Sequence, residues 1–408
     1  MLHASSLCKS TMKNTSGLRT AYVSILLLGI VSLMGDIVYE GSRGLIPDYL
    51  RFLGATAFIV GFVSGLGEFL GYAMRLASGF LVDVTRAYWF FMFLGYGLIA
   101  SIPLLGLSNS WEAAALLVLL ERLGKACRSP SRDTILAIVS EGVGTGKAFG
   151  VHEFLDQVGA VVGPLIVSSL MFYSSNDYKL TFSFLSIPFM MLFIVLIFTY
   201  WKIRFQVIAE PKKMPIKSKV LGIPFYIYTL AVMLNTIGLI PASLILYRAS
   251  AILQPEQQQW MVPLIYLLIQ GIDAPVALLS GYLYDKFGIR ILILPFIISV
   301  FPPIFTMLNA DLTTLVIASI FFGAILGIQE STYRAAVTRF TPTSSRGTAY
   351  GIFNAAYGVG FIISGGIYGI IVDLQIPLVI TFFFAVSTQA SALVALLHAH
   401  RSLIRLNK

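Results

Sequence analysis

Gly79-Phe-Leu-Val-Asp83-Val-Thr-Arg86 and Gly281-Tyr-Leu-Tyr-Asp285-Lys-Phe-Gly288-Ile-Arg290 are two versions of one short charged turn. Their aspartates lie 202 residues apart in a chain of 408, which is half its length. Each turn follows a long apolar run and precedes another. A charged turn recurring at half-length inside a sequence that is 57% hydrophobic reads as a duplicated membrane bundle.

Composition supports that reading and excludes others. Only 12% of residues are charged, against about 25% in an ordinary soluble domain. Too few polar residues are present to cover a core of this size, so lipid must be the outer solvent. The formal net charge of +9 raises the question of nucleic acid, but the basic residues fall on alternate connections and form no continuous face. Nucleic acid is therefore not expected as a partner. Cys8 and Cys127 are too few for a disulfide framework.

A helix needs about 20 mostly apolar residues to cross the hydrocarbon layer. Twelve such runs are expected, at 22–46, 57–82, 88–105, 112–139, 148–172 and 181–201, then 224–247, 261–283, 289–307, 312–337, 349–372 and 378–397. The fold class is thus an all-α membrane protein of 12 transmembrane helices in two pseudo-symmetric six-helix bundles. The bundles are 1–201 and 224–408, joined by a linker at 202–223 that carries Lys202, Arg204, Lys212, Lys213, Lys217 and Lys219 against Glu210. The polar first twenty residues do not resemble a cleaved signal peptide. Lys9, Lys13 and Arg19, the linker, both turns, and Arg401, Arg405 and Lys408 fall on one side. Asp48, Glu112, Asp177, Glu256, Asp311 and Asp373 fall on the other, with Arg51, Lys179 and Arg248. The positive-inside rule places both termini in the cytoplasm of a multi-pass protein of the plasma membrane.

In its turns and its glycine spacing the chain resembles the major facilitator superfamily. Gly281-x-Leu283-x-Asp285-Lys286-x-Gly288-x-Arg290 is similar to that family's signature between helices two and three of each half. The first copy is one residue shorter, ending in Thr85-Arg86. On the fifth run, Gly150, Gly159 and Gly163-Pro164 resemble the family's antiporter motif, with Val167-Ser168 where a trailing glycine pair is usual. Arg128-Ser-Pro130-Ser-Arg132-Asp133 resembles a run found in bacterial and archaeal members. Val118 stands where many members carry a base. The resemblance covers the whole chain and implies alternating-access transport.

Ionisable groups inside a membrane are costly and point to function. Asp36, Glu40 and Arg43 share one helical face at i, i+4 and i+7, and Glu68 and Arg75 share another. Glu121, Lys125, Arg128 and Arg132 form a longer stripe, with Arg122 beside it; His152 and Asp156 are in register with Gly159 and Gly163. The second half holds Asp273, the pair Glu330/Arg334, and Asn235 and Asn354. Proton and substrate binding is expected from Asp36, Glu40, Arg43, Glu68, Arg75, Glu121, Arg122, Asn235, Glu330 and Arg334. Asp36 and Glu40 sit deepest on a helix that lines the cavity in the family, where lost water and nearby guanidiniums act on a carboxylate in opposite senses. Gating is expected from Asp83, Arg86, Arg128, Arg132, Asp156, Gly159, Gly163, Pro164, Asp285, Lys286 and Arg290. The two turn aspartates would act as latches. The bland reading is that many of these charges only pair internally or set topology.

His152-Glu153-Phe-Leu-Asp156 lacks the second histidine of a zinc-protease helix, and Gly142-Val-Gly144-Thr-Gly146-Lys147 lacks the first glycine and the hydroxyl residue of a phosphate loop. No metal, no cofactor and no enzymatic activity are expected. The function expected is secondary active transport of a small solute by a monomer, as proton-coupled efflux. Proton-coupled uptake is the nearest alternative, and a non-transporting receptor a more distant one.

Overall fold

A computed structural model describes residues 2–140, 143–205, 207, 221–308, 311–342 and 345–406, with backbone alone for 2–18 and 406. Residues 208–220 of the expected linker lie outside the described residues, and with them Glu210, Lys212, Lys213, Lys217 and Lys219. The described residues are helical without strands. The leading helices are α1 (Leu2–Arg43), α2 (Ile46–Phe52), α3 (Ala57–Thr85), α4 (Tyr88–Gly97), α5 (Ser101–Leu104), α6 (Trp111–Val139), α7 (Thr145–Tyr173), α8 (Tyr178–Phe184) and α9 (Ser186–Ile203). The trailing helices are α10 (Ile223–Gly238), α11 (Ala242–Leu253), α12 (Val262–Phe287), α13 (Ile293–Ile298), α14 (Phe301–Leu308), α15 (Leu312–Phe340), α16 (Arg346–Asp373) and α17 (Leu378–Leu406).

Local sequence sets the ends. Thr56, Ser110 and Asp311 each accept a hydrogen bond from a backbone N–H three residues on, and so start α3, α6 and α15. The two copies of the turn stop their helices differently. α12 ends at Gly288 with φ +63°, whereas the shorter first copy puts Arg86 at φ +55°. A non-glycine residue there accepts a conformation that glycine adopts freely.

Ten helical stretches among the described residues are long and apolar enough to cross a membrane. α6 is not one of them, because Glu121, Arg122, Lys125, Arg128, Arg132 and Asp133 dilute its hydropathy. One of the ten, Gln259–Leu308, spans 50 residues. As straight helix it would measure ~75 Å, far more than the ~30 Å hydrocarbon layer, but it breaks at Gly288. Lipid-facing surface is evident on α9, which exposes Ile187, Met190, Ile194 and Phe198, and on α17, which exposes Val379, Phe383 and Val394. Such surfaces are unfavourable in water. The chain is a multi-pass membrane protein.

Buried apolar side chains form three clusters. One is drawn from residues 25–203, one from 221–399, and the third joins Ala57 to residues 239–371. Extensive packing pairs α1 with α7, α12 with α15, α10 with α17, and α3 with α16. Three of these contacts are backbone to backbone, that of α12 with α15 at Gly323 and Gly327. A Cβ on Gly163 would strike Gly41, and one on Gly61 would strike the Gly365 carbonyl. Small residues allow that approach where lipid supplies little driving force for helix association.

Gly365→Leu is therefore expected to force α3 and α16 apart and destabilise the fold by about 1–3 kcal/mol. A lower melting temperature in detergent checks this; an unchanged one would show the contact to be dispensable.

Candidate functional site

A cavity of about 660 Å³ lies between α1, α3, α6 and α7 on one side and α11, α12, α15 and α16 on the other. Helical periodicity brings the charged residues to it. Asp36, Glu40 and Arg43 line it from α1, Glu68 and Arg75 from α3, and Arg122, Lys125, Arg128 and Arg132 from α6; Glu330 and Arg334 come from α15.

Most of the leading-helix charges are paired. Arg43 bridges Glu40 at 3.0 Å and Glu68 at 2.6 Å. Arg122 reaches Glu68 at 3.4 Å and Glu121 at 3.7 Å, and Arg128 reaches Glu121 at 3.4 Å. Lys125 stands 3.7 Å from Glu40. Arg132 contacts Asp133 at 3.0 Å and Asp156 at 3.4 Å, and His152 Nδ1 is also 3.4 Å from Asp156. The Tyr266 hydroxyl, from α12, donates to Glu40. Nothing in the sequence pattern singled out Tyr266, since a tyrosine on an apolar helix carries no periodic signal.

Other expected site residues fall elsewhere. Asn235 does not line the cavity. It is fully buried, takes hydrogen bonds from Gln329 and Tyr333, and donates to Gln389 and Ser299. Glu121 is buried behind Arg122 and Arg128. Gly159 and Gly163 pack α7 onto α1, where a Cβ would meet Asp36, Leu33 or Gly41. Asp83, Arg86, Asp285, Lys286 and Arg290 are exposed on the two turns. Four carboxylates that line the cavity, Asp36, Glu153, Asp273 and Glu330, have no ion pair among the described residues.

The two ends of the cavity differ. At the end opposite the turns, hydrogen bonds join leading to trailing helices. Asp48 accepts from Ser250, and from Tyr178 at 2.9 Å. Arg51 donates to Gln254 at 2.6 Å, and Asn176 donates to the Gln257 carbonyl at 2.7 Å. Asp373 accepts the Ala57 and Phe58 N–H groups, both at 2.8 Å. Sequence patterning marked Asp48, Arg51 and Asp373 only as loop charges. On the turn side, Glu153, Glu330 and Arg334 line the cavity yet are exposed, so this side admits water.

Burial pushes the Asp48 carboxyl up to about 6, against the bonds from Ser250 and Tyr178 and the charge of Arg51, which pull it down. Opened and hydrated, it would revert to ~3.9. The state with the raised value is favoured most fully below ~pH 4 and loses that advantage as pH rises through about 6. Alkaline pH is thus expected to loosen this end. Spin labels at Leu107 and Glu256, both exposed, should show a larger open fraction at about pH 8 than at about pH 5. Asp48→Asn should stay closed at both; equal pH response in the variant would remove Asp48 from the closure.

Comparison with known proteins agrees with the geometry. The chain is 33% identical over 388 residues to an uncharacterised protein of Mycobacterium tuberculosis, covering 91% of this chain and 92% of that one. It is 26% identical over 367 residues to an uncharacterised MFS-type transporter of Methanocaldococcus jannaschii, covering 86% and 89%. A solved peptide transporter, POT, superposes with TM-score 0.72 at 14% identity over 92% of this chain and 94% of that one. The family model of the Major Facilitator Superfamily matches residues 25–365 and again 225–403. The chain belongs to the Major Facilitator Superfamily.

Proposed function

We propose that this protein is a secondary active transporter that moves a small solute by alternating access, as proton-coupled efflux. The observation that carries the reading is a charged cavity closed by hydrogen bonds at one end and reached by water at the other. Rocking about such a site exposes it to each side in turn. Counting α6 as a crossing and dividing Gln259–Leu308 at Gly288 gives twelve crossings, in bundles 1–201 and 224–408 about the linker 202–223. With both termini cytoplasmic, by the charge distribution, the described conformation opens to the cytoplasm. The working unit is a monomer in the plasma membrane, with the solute, protons and lipid as its partners.

Proton exchange is assigned to Asp36 and Glu40. Asp36 is 7% exposed and has no hydrogen bond or ion pair among the described residues. Glu40 is tied to Arg43 and Lys125 and, through Tyr266, to the trailing helices. Any motion that separates α1 from α12 breaks the Tyr266 bond, so the setting of Glu40 changes with the state of the cavity. Efflux is preferred over uptake because Gly150, Gly159 and Gly163-Pro164 of α7 resemble the family's antiporter motif, and Gly159 and Gly163 lie against the helix bearing both acids.

Proteoliposomes with an imposed pH gradient and a panel of solutes test this. Asp36→Asn or Glu40→Gln should abolish gradient-driven accumulation while the purified protein keeps its size-exclusion profile. Parent-like accumulation by both variants would overturn the proton assignment. Transport that ignores pH and voltage would make the protein a uniporter.

The turn aspartates are proposed as latches of the opposite, outward-open state. A partly exposed pair is worth about 1 kcal/mol, so neutralising one should shift the population several-fold toward the form described here. Cysteine pairs across the turn side, in a background lacking Cys8 and Cys127, should crosslink more slowly in Asp83→Asn and Asp285→Asn. Unchanged crosslinking and transport in both would reduce the turns to topology signals.

A further inference from the structure

We propose that Arg75 and Arg334 form an oxyanion-binding subsite on the turn side of the cavity, which takes the carboxylate or phosphate group of the solute. The proposal rests on the transport reading for its occupant, but its geometry stands alone. The cationic stripe of α6 looks at first like the better anion site. It is already occupied, because Arg122, Lys125, Arg128 and Arg132 each have a carboxylate within 4 Å, as does Arg43 on α1.

Arg75 and Arg334 are the cavity-lining cations with no carboxylate partner among the described residues. They approach from α3 and α15, on opposite sides of the cavity, and meet at one ring. The Arg75 guanidinium carbon lies 5.9 Å from the centre of the Tyr72 ring, and that of Arg334 lies 5.7 Å from the same centre. Tyr72 is itself held by Tyr357, at 5.3 Å between ring centres, and by Phe361, stacked at 6.3 Å. The Arg75 Nε is buried without a hydrogen-bond partner.

Two like charges beside one ring repel each other, and an orphaned guanidinium nitrogen has lost water without compensation. The attraction of each cation to the ring offsets part of that cost. An oxyanion between the two arginines offsets the rest, since the planar guanidinium fork matches carboxylate and phosphate oxygens two at a time. Other charges face this place as well. Glu68 on α3 is committed to Arg43 and Arg122. Glu330, four residues before Arg334 on α15, is unpaired and competes for the same guanidiniums. An arriving anion must displace its influence, so Glu330 sets how tightly the subsite holds.

Because the two jaws belong to helices on opposite sides, an anion that bridges them ties those sides together. Binding and the state of the cavity are then coupled by the same two residues.

The test is calorimetric titration of the purified full-length chain in lipid nanodiscs, in chloride buffer, with inorganic phosphate in one arm and succinate in another. Tetramethylammonium chloride serves as a cationic control. Saturable binding of at least one oxyanion is expected, weakened about tenfold to hundredfold by Arg75→Gln and by Arg334→Gln. The lysine variants, which keep the charge but lose the fork, should fall between. Glu330→Gln should bind more tightly than the parent, an effect that a purely structural role for the arginines would not produce. Phosphate binding alone points to a phosphorylated solute, and succinate binding alone to a carboxylate. No saturable oxyanion binding by the parent, or binding unchanged in both glutamine variants of matching melting temperature, would overturn the subsite. Arginine-dependent binding in a protein that transports no solute would leave the subsite standing and overturn the transport reading instead.

Discussion

Moving an ionised side chain from water to the centre of a bilayer costs at least ~2.5–3.5 kcal/mol, and the cavity is organised by the way that cost is met. Glu40 and Glu68 share Arg43, Glu68 and Glu121 share Arg122, and Arg128 completes Glu121. Charges alternate in sign along this chain, which crosses from α1 to α3 to α6. Removing Glu121 would leave the buried Arg128 without its carboxylate, which costs more than the pair itself is worth. The network therefore fixes how these three helices are rotated about their own axes. Aromatic rings support it, since Lys125 lies 4.6 Å and Arg128 4.9 Å from the centre of the Tyr39 ring.

The trailing helices solve the same problem without ions. Asn235, Gln329, Tyr333 and Gln389 form a buried neutral network that joins α10, α15 and α17 at 2.7–3.1 Å. Neutral groups that satisfy one another hold helices together at no charge-burial cost. The charged side chains of these helices, Asp273, Glu330 and Arg334, are thereby released from structural duty. Most charges of one wall of the cavity are paired and those of the opposite wall are not. A solute entering between them finds unmet partners in Asp273, Glu330 and Arg334 on the trailing wall and in Asp36, Arg75 and Glu153 on the leading one.

The sequence made the fold legible because membrane insertion leaves strong periodic marks: long apolar runs, a turn repeated at half-length, and acids and bases three, four or seven residues apart. Those spacings correctly put Asp36, Glu40 and Arg43 on one cavity-facing side, and likewise Glu68 and Arg75. They could not say which base meets which acid, because partners such as Arg43 and Glu68 come from different helices. Asn235 shows the same limit. Its depth was readable, but whether it faced the cavity or the core depended on Gln329, Tyr333 and Gln389, far away in the chain. The closed end was least legible. Asp48, Arg51 and Asp373 sit in short connections where charge is ordinary, and only tertiary structure places Ser250, Gln254 and the start of α3 against them.

That closed end is built from directional polar contacts, and this bears on how it opens. The Ala57 and Phe58 N–H groups of α3 are among those a helix leaves unsatisfied at its start, and they are capped by Asp373 at the end of α16. Parting the helices uncaps α3, at a cost of about 1 kcal/mol. Losing each neighbouring bond costs a similar amount, because the separated groups hydrate at the surface. A handful of such terms totals a few kcal/mol, the size of differential interaction that moves a two-state population from one side to the other. The close glycine contact between Gly61 and Gly365 lies about one helical turn along α3 from the capped Ala57 N–H and about two along α16 from Asp373. It offers backbone surfaces without interlocking side chains, so α3 and α16 can pivot on it once the cap is released. The closure is thus strong enough to define a state and weak enough for competing interactions of a few kcal/mol to reverse it.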